Sequence, residues 1–183
     1  VDITTLKNSS DFLEQIHQQV LKNYRDLKIE LKSTLSENKI LWGITMDGRN
    51  LDDWTAFSKY KKKMVNEIHS FRKEHDMTED GLVIQTYKNH PFIDLYACPC
   101  SKAIAYDSIA KMLQFTNVDK VLYLGDSEND NPAFKKADIS IGIRSDDRIK
   151  TSLECKHYLR YENLPLFFNR LTSNNFNFDE GLL

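Results

Sequence analysis

The sequence feature that most constrains the fold of this chain is a short apolar run that stops at a glycine. Val121 to Phe134 reads VLYLGDSENDNPAF, and its first four residues are continuously apolar, which is typical of a buried parallel strand. Gly125 ends the run, and Pro132 and Phe134 resume a helical pattern. The stretch therefore predicts a strand, a turn and a helix. In α/β sheets, ligands bind beyond the carboxyl ends of such strands.

The turn that follows this strand carries two carboxylates and an amide. Asp126 would lie at the strand tip and Asp130 near the first helical turn, so both acids and Asn129 can point into one crevice. Two carboxylates suit Mg²⁺, which binds few carboxylates together with waters and substrate phosphate. A structural alternative stays open, because Ser127 to Asp130 also fits a capping box, and the helix dipole favours acids there without any ligand.

Composition and charge indicate a globular chain. Its 183 residues are 40% hydrophobic, which allows one ordinary domain or a moderate core with a second small unit. The net charge of -2, with acids and bases mixed along the sequence, gives no electrostatic footprint for nucleic acid. We expect no nucleic-acid partner.

The cysteines and the hydropathy pattern bear on the cell compartment. Cys98, Cys100 and Cys155 make an odd count, and the spacing of the first two is one residue short of the usual zinc-knuckle spacing, so buried free thiols are predicted over metal ligands. The sequence shows neither an apolar run of membrane-spanning length nor a leader. We therefore expect a cytoplasmic protein without a membrane partner.

Hydrophobic periodicity divides the chain into two parts with different secondary-structure patterns. The first predicts the order αββαββ, an antiparallel sheet with helices on one face, for a unit covering residues 1–99. Its predicted elements are a helix from Asp11 to Leu27, strands around Ile29 to Leu31 and Ile40 to Met46 joined near Ser36 to Asn38, a helix from Asp52 to His75, and strands from Leu82 to Tyr87 and Phe92 to Ala97.

Residues 100–183 alternate between strand and helix patterns, which is typical of a parallel sheet. The fold class is therefore α/β with an added α+β unit. The last dozen residues look frayed, although Phe176 and Phe178 could dock on a neighbour. The predicted elements are helices at Ser101 to Phe115, Asn131 to Lys136, Asp147 to Cys155 and Leu164 to Leu171, and strands at Lys120 to Leu124, Ile139 to Ile143 and His157 to Arg160.

The acidic turn resembles a motif of a known family. Gly125 to Asp130, GDSEND, is similar to GDxxND, the fourth motif of the haloacid dehalogenase (HAD) superfamily of phosphohydrolases. Lys102 resembles that family's third motif, a cation that pairs with the nucleophilic aspartate and the phosphoryl group. The resemblance implies Asp126 as a direct Mg²⁺ ligand, Asp130 as a ligand through water or a supporting group, and Asn129 near phosphate. The alternative for Lys102 is a solvated residue at a helix start.

The αββαββ unit resembles the C2-type cap of the Cof-like and phosphoglycolate- or sucrose-phosphatase-like branches. In those enzymes the cap closes over the crevice and selects the substrate, and residues 100–183 would form the carboxyl-terminal part of a Rossmann-like core. Arg49, after the second strand, and His90, in the later turn, are candidate cap contacts. The alternative is that both side chains are simply solvated.

The family's first motif, DxDx[TV], has no match in this sequence. Asp2 to Thr4 has no preceding strand, and Asp47 to Arg49 puts an arginine where the second aspartate belongs. The second motif, a serine or threonine that holds phosphate, is not visible upstream either. Three explanations stay open: a fragment, a second polypeptide that supplies the first half, or a degenerate protein that binds without turnover. An apolar edge at the Val121 strand would favour association or strand swapping.

The resemblance implies a magnesium-dependent phosphohydrolase of small phosphorylated metabolites, such as a sugar phosphate or a phosphoglycolate-like acid. Its aspartyl-phosphate would form on a nucleophile outside this chain. We expect the chain alone to be inactive and expect its partners to be the metabolite and either a DxD-bearing segment or a second copy. The rival hypothesis is a non-catalytic or regulatory subunit that keeps the magnesium and phosphate crevice.

Overall fold

The computed structural model describes residues 3–34, 39–51, 54–77, 81–116, 119–145 and 152–183. The chain divides into two compact units, Val1–Cys100 and Ser101–Leu183. The first unit contains a four-stranded sheet and the second a three-stranded sheet, each with its own hydrophobic core. The predicted α/β class, with one antiparallel and one parallel sheet, is confirmed.

The first unit has the predicted αββαββ order. Its strands pair antiparallel in the order β1-β2-β4-β3, so β1 and β2 form the predicted hairpin. The tip of that hairpin, including Ser36 to Asn38, lies outside the described residues. The elements are α1 (Ile3–Gln19), β1 (Lys28–Ser33), β2 (Leu41–Asp47), α2 (Trp54–Glu74), β3 (Val83–Thr86) and β4 (Phe92–Tyr96).

The predicted bounds of the first helix, Asp11 to Leu27, are wrong. The α1 helix begins at Ile3, and after Gln19 the chain continues as a 3-10 turn at Leu21–Asn23. The early turns lack apolar periodicity, so the sequence pattern did not reveal them. Ser10 is nevertheless buried there, because its hydroxyl accepts the Leu41 N–H at 2.9 Å and joins the helix to β2.

Alternation along the central strands separates the two faces of this sheet. One face is a core in which Ile44 of β2 and Leu95 of β4 are completely buried with the apolar sides of α1 and α2. The other face is polar at its centre. Asp94 is 3% exposed there and accepts hydrogen bonds from the Thr45 hydroxyl and, at 2.6 Å, from the Tyr87 hydroxyl. Hydrogen bonding thus stabilises a charge that burial would penalise.

The second unit is a parallel sheet in the order β5-β6-β7. Its strand and helix positions agree with the sequence pattern from Ser101 to Ile143. The β5 strand is only half-buried, however, because it lies at one edge of the sheet. The elements are α3 (Lys102–Met112), β5 (Leu122–Gly125), α4 (Asn131–Phe134), β6 (Ile139–Arg144), β7 (His157–Arg160) and α5 (Leu164–Ser173).

The carboxyl-terminal segment departs from prediction in two places. The predicted helix from Asp147 to Cys155 falls partly outside the described residues, and residues 152–155, which are described, are not helical. The last dozen residues are not frayed: Phe178, Leu182 and Leu183 pack against the second core. The sequence pattern missed this packing because the segment contributes only scattered apolar residues among amides.

The cysteines are free, as predicted, but half-buried instead of buried. Burial still raises the pKa of the Cys100 thiol to about 11, with the nearby Cys98 adding to the effect. Within the described ranges, every helix is too short or too polar to cross a bilayer.

The core of the first unit predicts that substitutions at two cross-strand partners lower the free energy of unfolding by unequal amounts. Ile44 is 0% exposed, whereas its cross-strand partner Leu31 is 47% exposed. We expect Ile44→Ala to lower the free energy of unfolding by about 2–5 kcal/mol, because it leaves a cavity. Leu31→Ala should cost under about 1 kcal/mol. Urea unfolding followed by tryptophan fluorescence measures both, and equal losses would contradict the difference in burial between the central strand β2 and the edge strand β1.

Candidate active site

A buried carboxylate lies at the centre of the acidic turn. Asp130 is 1% exposed, and its Oδ2 accepts the backbone N–H groups of Asp126 and Ser127, each at 3.0 Å. Its Oδ1 accepts the Tyr123 hydroxyl at 2.8 Å and the Lys102 ammonium. Two donors on each oxygen use the lone pairs of the carboxylate fully. A buried charge requires such pairing, so the turn is folded around Asp130.

The local sequence explains how the turn reaches this geometry. Ser127 is extended, with φ -135° and ψ 163°, and forms a capping box with Asp130 at a 3-10 turn, Glu128–Asp130. That turn leads directly into α4, which has Pro132 in its first turn, where proline is favoured. The capping interpretation of the sequence is therefore correct for Asp130, and it leaves the carboxylate of Asp126 available.

Gly125 makes the close approach of Asp130 possible. A Cβ atom added at Gly125 would lie 2.6 Å from both the Cβ and the Oδ2 of Asp130, which no real side chain tolerates. Any larger residue would push the carboxylate away from its backbone donors. The glycine at the strand end is thus required by packing, and strain in its φ angle plays no part.

Lys102 reaches the site from the start of α3. The hydroxyl of Ser101 accepts the Ile104 N–H at 3.2 Å, which fixes the first turn of that helix. The Lys102 side chain is 44% exposed and its ammonium forms an ion pair with Asp130. Lys102 is therefore more than a solvated residue at a helix start, although water still has access to it.

Asp126 and Asn129 complete the predicted set. Asp126 is exposed, and among the described residues its carboxylate has no hydrogen-bond or ion-pair partner. The Asn129 Oδ1 accepts the Ser127 hydroxyl, which leaves its amide N–H groups available. In the described part of the chain, no group of three or more His, Cys, Asp or Glu residues could hold a metal. A cation here would need waters or substrate oxygens as further ligands.

Three residues of the site were missed from the sequence. Tyr123 donates to Asp130, and its pKa is raised first by burial and then by that carboxylate. Glu128 is buried, and its Oε1 accepts the Ser152 N–H at 3.3 Å. The Asn131 side chain bridges the 152–154 segment, donating to Ser152 O and accepting from Glu154 N–H, both at 2.8 Å. Alternation within β5 could have indicated Tyr123, whereas the other contacts are long-range.

The two candidate cap contacts lie in the first unit. The Arg49 guanidinium holds Asp47 in a fork, with Nη2 2.8 Å from Oδ2, and lies 4.8 Å from the ring centre of Phe92. His90 is buried against the same ring. Burial acts to raise the pKa of Asp47, but the hydrogen bonds and charge of Arg49 outweigh it and lower that pKa. Both carboxylate oxygens of Asp47 thus accept hydrogen bonds from Arg49.

Comparison with known proteins identifies the family. The model of the haloacid dehalogenase-like hydrolases matches residues 3–155, so the chain belongs to that family. No curated protein matches the chain in sequence.

Solved structures share the fold at low identity. A HAD-superfamily phosphatase from Bacteroides thetaiotaomicron is 14% identical with a TM-score of 0.53, over 92% of this chain and 65% of its own. A trehalose-6-phosphate phosphatase related protein is 14% identical with a TM-score of 0.52, over 93% and 63%. A HAD subclass IIB sugar phosphatase is 11% identical with a TM-score of 0.51, over 97% and 68%. The chain thus spans just under two thirds of the first two structures.

The packing of Gly125 generates a prediction for the acidic turn. We expect Gly125→Ala to expel the Asp130 carboxylate, so that the backbone N–H of Ser127 loses its acceptor. That N–H should then exchange its hydrogen at least about tenfold faster, because the free energy of local opening falls by about 1–3 kcal/mol. Hydrogen exchange read by NMR measures this.

Gly181→Ala is the matched control, because its added Cβ would meet only the Asp179 Oδ1, at 3.0 Å, an acceptor that is not part of the acidic turn. Unchanged exchange at Ser127 in Gly125→Ala would show that Asp130 does not organise the turn.

Proposed function

We propose that the chain is the cap and carboxyl-terminal core of a magnesium-dependent phosphohydrolase. The observation that carries this proposal is the buried Asp130 carboxylate, which links the Lys102 ammonium to the backbone of the Asp126 turn at the tip of β5. Membership of the hydrolase family supports it. The αββαββ unit would serve as a C2-type cap.

The residues present fit Mg²⁺, with unequal roles for the two acids. Asp126 offers an exposed carboxylate, and Asp130 has every lone pair engaged, so Asp126 would bind the metal directly while Asp130 positions the turn. Bound Mg²⁺ would neutralise charge on a phosphate and the adjacent carboxylates. One carboxylate with waters and phosphate oxygens is an ordinary set of ligands for this ion.

Lys102 and Asn129 would bind the phosphoryl group. Asp130 anchors the Lys102 ammonium, yet the side chain is 44% exposed, so two of its three N–H donors remain for phosphate oxygens. The free amide N–H groups of Asn129 would add a neutral hydrogen bond. A cation held in place before the substrate arrives stabilises transferring phosphoryl groups by electrostatics.

The nucleophile would come from another segment, supplied by a second chain or by further sequence. In the described part of the chain the β5 strand pairs on one side only, and α3, described throughout, contains no buried residue. Apolar side chains nearby are 72% exposed at Met112 and 58% at Leu113. Burying such surface and pairing such an edge are both favourable, so a strand-helix segment bearing DxD would dock here.

The proposed substrate class is supported by the family resemblance and by the names of similar structures. One is a sugar phosphatase and another is related to a trehalose-6-phosphate phosphatase. We therefore propose a sugar phosphate or a phosphoglycolate-like acid, with Arg49 and His90 as candidate cap contacts. The reaction would pass through an aspartyl-phosphate on the supplied nucleophile, which water then hydrolyses.

A second function is favoured by one observation, the missing DxD motif. A regulatory subunit could keep the phosphate and magnesium crevice without forming a covalent intermediate. Phosphatase assays of the chain with Mg²⁺, alone and with a co-encoded DxD-bearing protein, separate the two functions. Turnover restored by the partner supports the hydrolase, whereas phosphate-ester binding without turnover in both samples supports the regulatory subunit.

The metal assignment predicts unequal effects of two aspartate substitutions. We expect Asp126→Ala to weaken Mg²⁺ binding at least about tenfold, because it removes the direct ligand while the turn stays folded around Asp130. Asp107→Asn is the control, since that aspartate is exposed and pairs with Lys136 instead of with a residue of the site. Calorimetry measures affinity and circular dichroism measures folding. Equal Mg²⁺ affinity in wild type and Asp126→Ala would exclude the proposed site.

The exposed surface of α3 predicts association. Without a partner segment, the chain should form concentration-dependent oligomers in sedimentation velocity, and the double variant Met112→Glu, Leu113→Glu should shift it towards monomer. Leu166→Glu, on α5 and 50% exposed, is the control. A monomer at every concentration, with no binding of a DxD-bearing segment, would contradict docking at this surface.

A further inference from the structure

An arginine at the carboxyl end of β6 is held in place by an aromatic ring. Arg144 is the last residue of β6, and its guanidinium carbon lies 3.7 Å from the ring centre of Tyr158 on β7. This distance is that of a close cation–π stack, which favours a planar guanidinium. The stack restricts a side chain that would otherwise sample many rotamers.

The supporting ring is itself fixed. The Tyr158 hydroxyl donates to the Leu153 carbonyl at 3.0 Å, and the ring packs over Gly142, where an added Cβ would lie 3.1 Å from it. That Cβ would also lie 2.6 Å from the Cys155 Sγ, so a side chain at Gly142 would displace Cys155 and the Tyr158 ring. Arg144 therefore rests on a packed platform and is oriented before any ligand arrives.

This platform faces the same side of the sheet as the acidic turn. Gly125 and Gly142 are register partners in adjacent parallel strands, so their side-chain directions point to one face. Asp130 occupies the space over Gly125, and Tyr158 packs over Gly142. Arg144 follows Gly142 by two residues, which keeps it on that face and at the carboxyl edge, where Asp126 also lies.

Arg144 differs from two other arginines at strand ends in its described contacts. Among the described residues its guanidinium has no carboxylate partner, whereas Arg160 at the end of β7 pairs with Glu162 at 3.5 Å and Arg49 pairs with Asp47 at 2.8 Å. Arg144 is also exposed to solvent. An oriented guanidinium that no carboxylate of the described residues neutralises, at the carboxyl edge of a parallel sheet, is suited to bind a planar carboxylate or a phosphate in bidentate fashion.

We propose that Arg144 binds a second anionic group of the substrate, so that the ligand is a phosphate ester with an additional carboxylate or phosphate. This inference rests on the proposed function, in which Lys102 and Asp126 receive the phosphoryl group. Neighbouring strands lie about 4.8 Å apart, and Arg144 is on β6, the strand next to β5, with its side chain directed towards β7. The two anionic groups of the substrate would therefore be separated by about 5–10 Å. Small metabolites span that distance.

The test compares matched ligands by calorimetry on the whole chain with Mg²⁺. Glycerol 3-phosphate and 3-phosphoglycerate differ by a carboxylate, and fructose 6-phosphate and fructose 1,6-bisphosphate differ by a phosphate. We expect the more anionic member of at least one pair to bind about tenfold more tightly, and the pair that does so identifies the second group. Arg144→Gln should abolish the preference while changing the affinity for the simpler ester less than about twofold.

Three further variants separate positioning from charge. Tyr158→Leu, which removes the stack, should reduce the preference, and Tyr158→Phe, which keeps the ring, should retain it. Arg170→Gln, at an exposed arginine on α5, is the control for net charge and should change nothing.

A preference that survives Arg144→Gln, or the lack of any preference in wild type, would overturn the role of Arg144 while leaving the proposed function intact. A wild-type chain that binds none of the four esters would contradict both proposals.

Discussion

The structure of the second unit depends on the satisfaction of one buried negative charge. An isolated carboxylate in the protein interior is strongly unfavourable, and Asp130 is tolerated because an ammonium, a phenol and two backbone amides all donate to it. These donors come from α3, from β5 and from the turn after it. One carboxylate therefore joins α3 to the contiguous segment of β5 and its turn, and it determines where Asp126 and Lys102 lie.

The parts of this arrangement that the sequence revealed are local. The apolar run ending at Gly125 and the acids behind it predicted strand, turn and helix, because periodicity and capping act within a few residues. The position of Lys102 at the start of a helix followed in the same way. The family resemblance implied a nucleophilic aspartate and a phosphoryl group as its partners, so its ion pair with Asp130, 28 residues away, was not predicted.

The parts that sequence reasoning missed depend on contacts between distant segments. Hydrophobic periodicity placed the first helix at Asp11, because the contact of Ser10 with Leu41 is invisible in a local pattern. The carboxyl-terminal residues looked frayed for the same reason, since Phe178 and Leu183 find their partners only in the folded second core. Arg144 gave no sequence signal, because its interest arises from the ring of Tyr158 on the neighbouring strand.

The central claim is that Asp130 holds a preformed turn whose free carboxylate, on Asp126, receives a divalent ion beside Lys102. Paramagnetic line broadening by Mn²⁺, a substitute for Mg²⁺, tests it most directly in the whole chain. The account predicts that substoichiometric Mn²⁺ selectively broadens the NMR signals of Asp126, Ser127 and the Lys102 side chain, and that excess Mg²⁺ reverses the effect. Broadening centred on another part of the chain, with these signals unchanged, would contradict it.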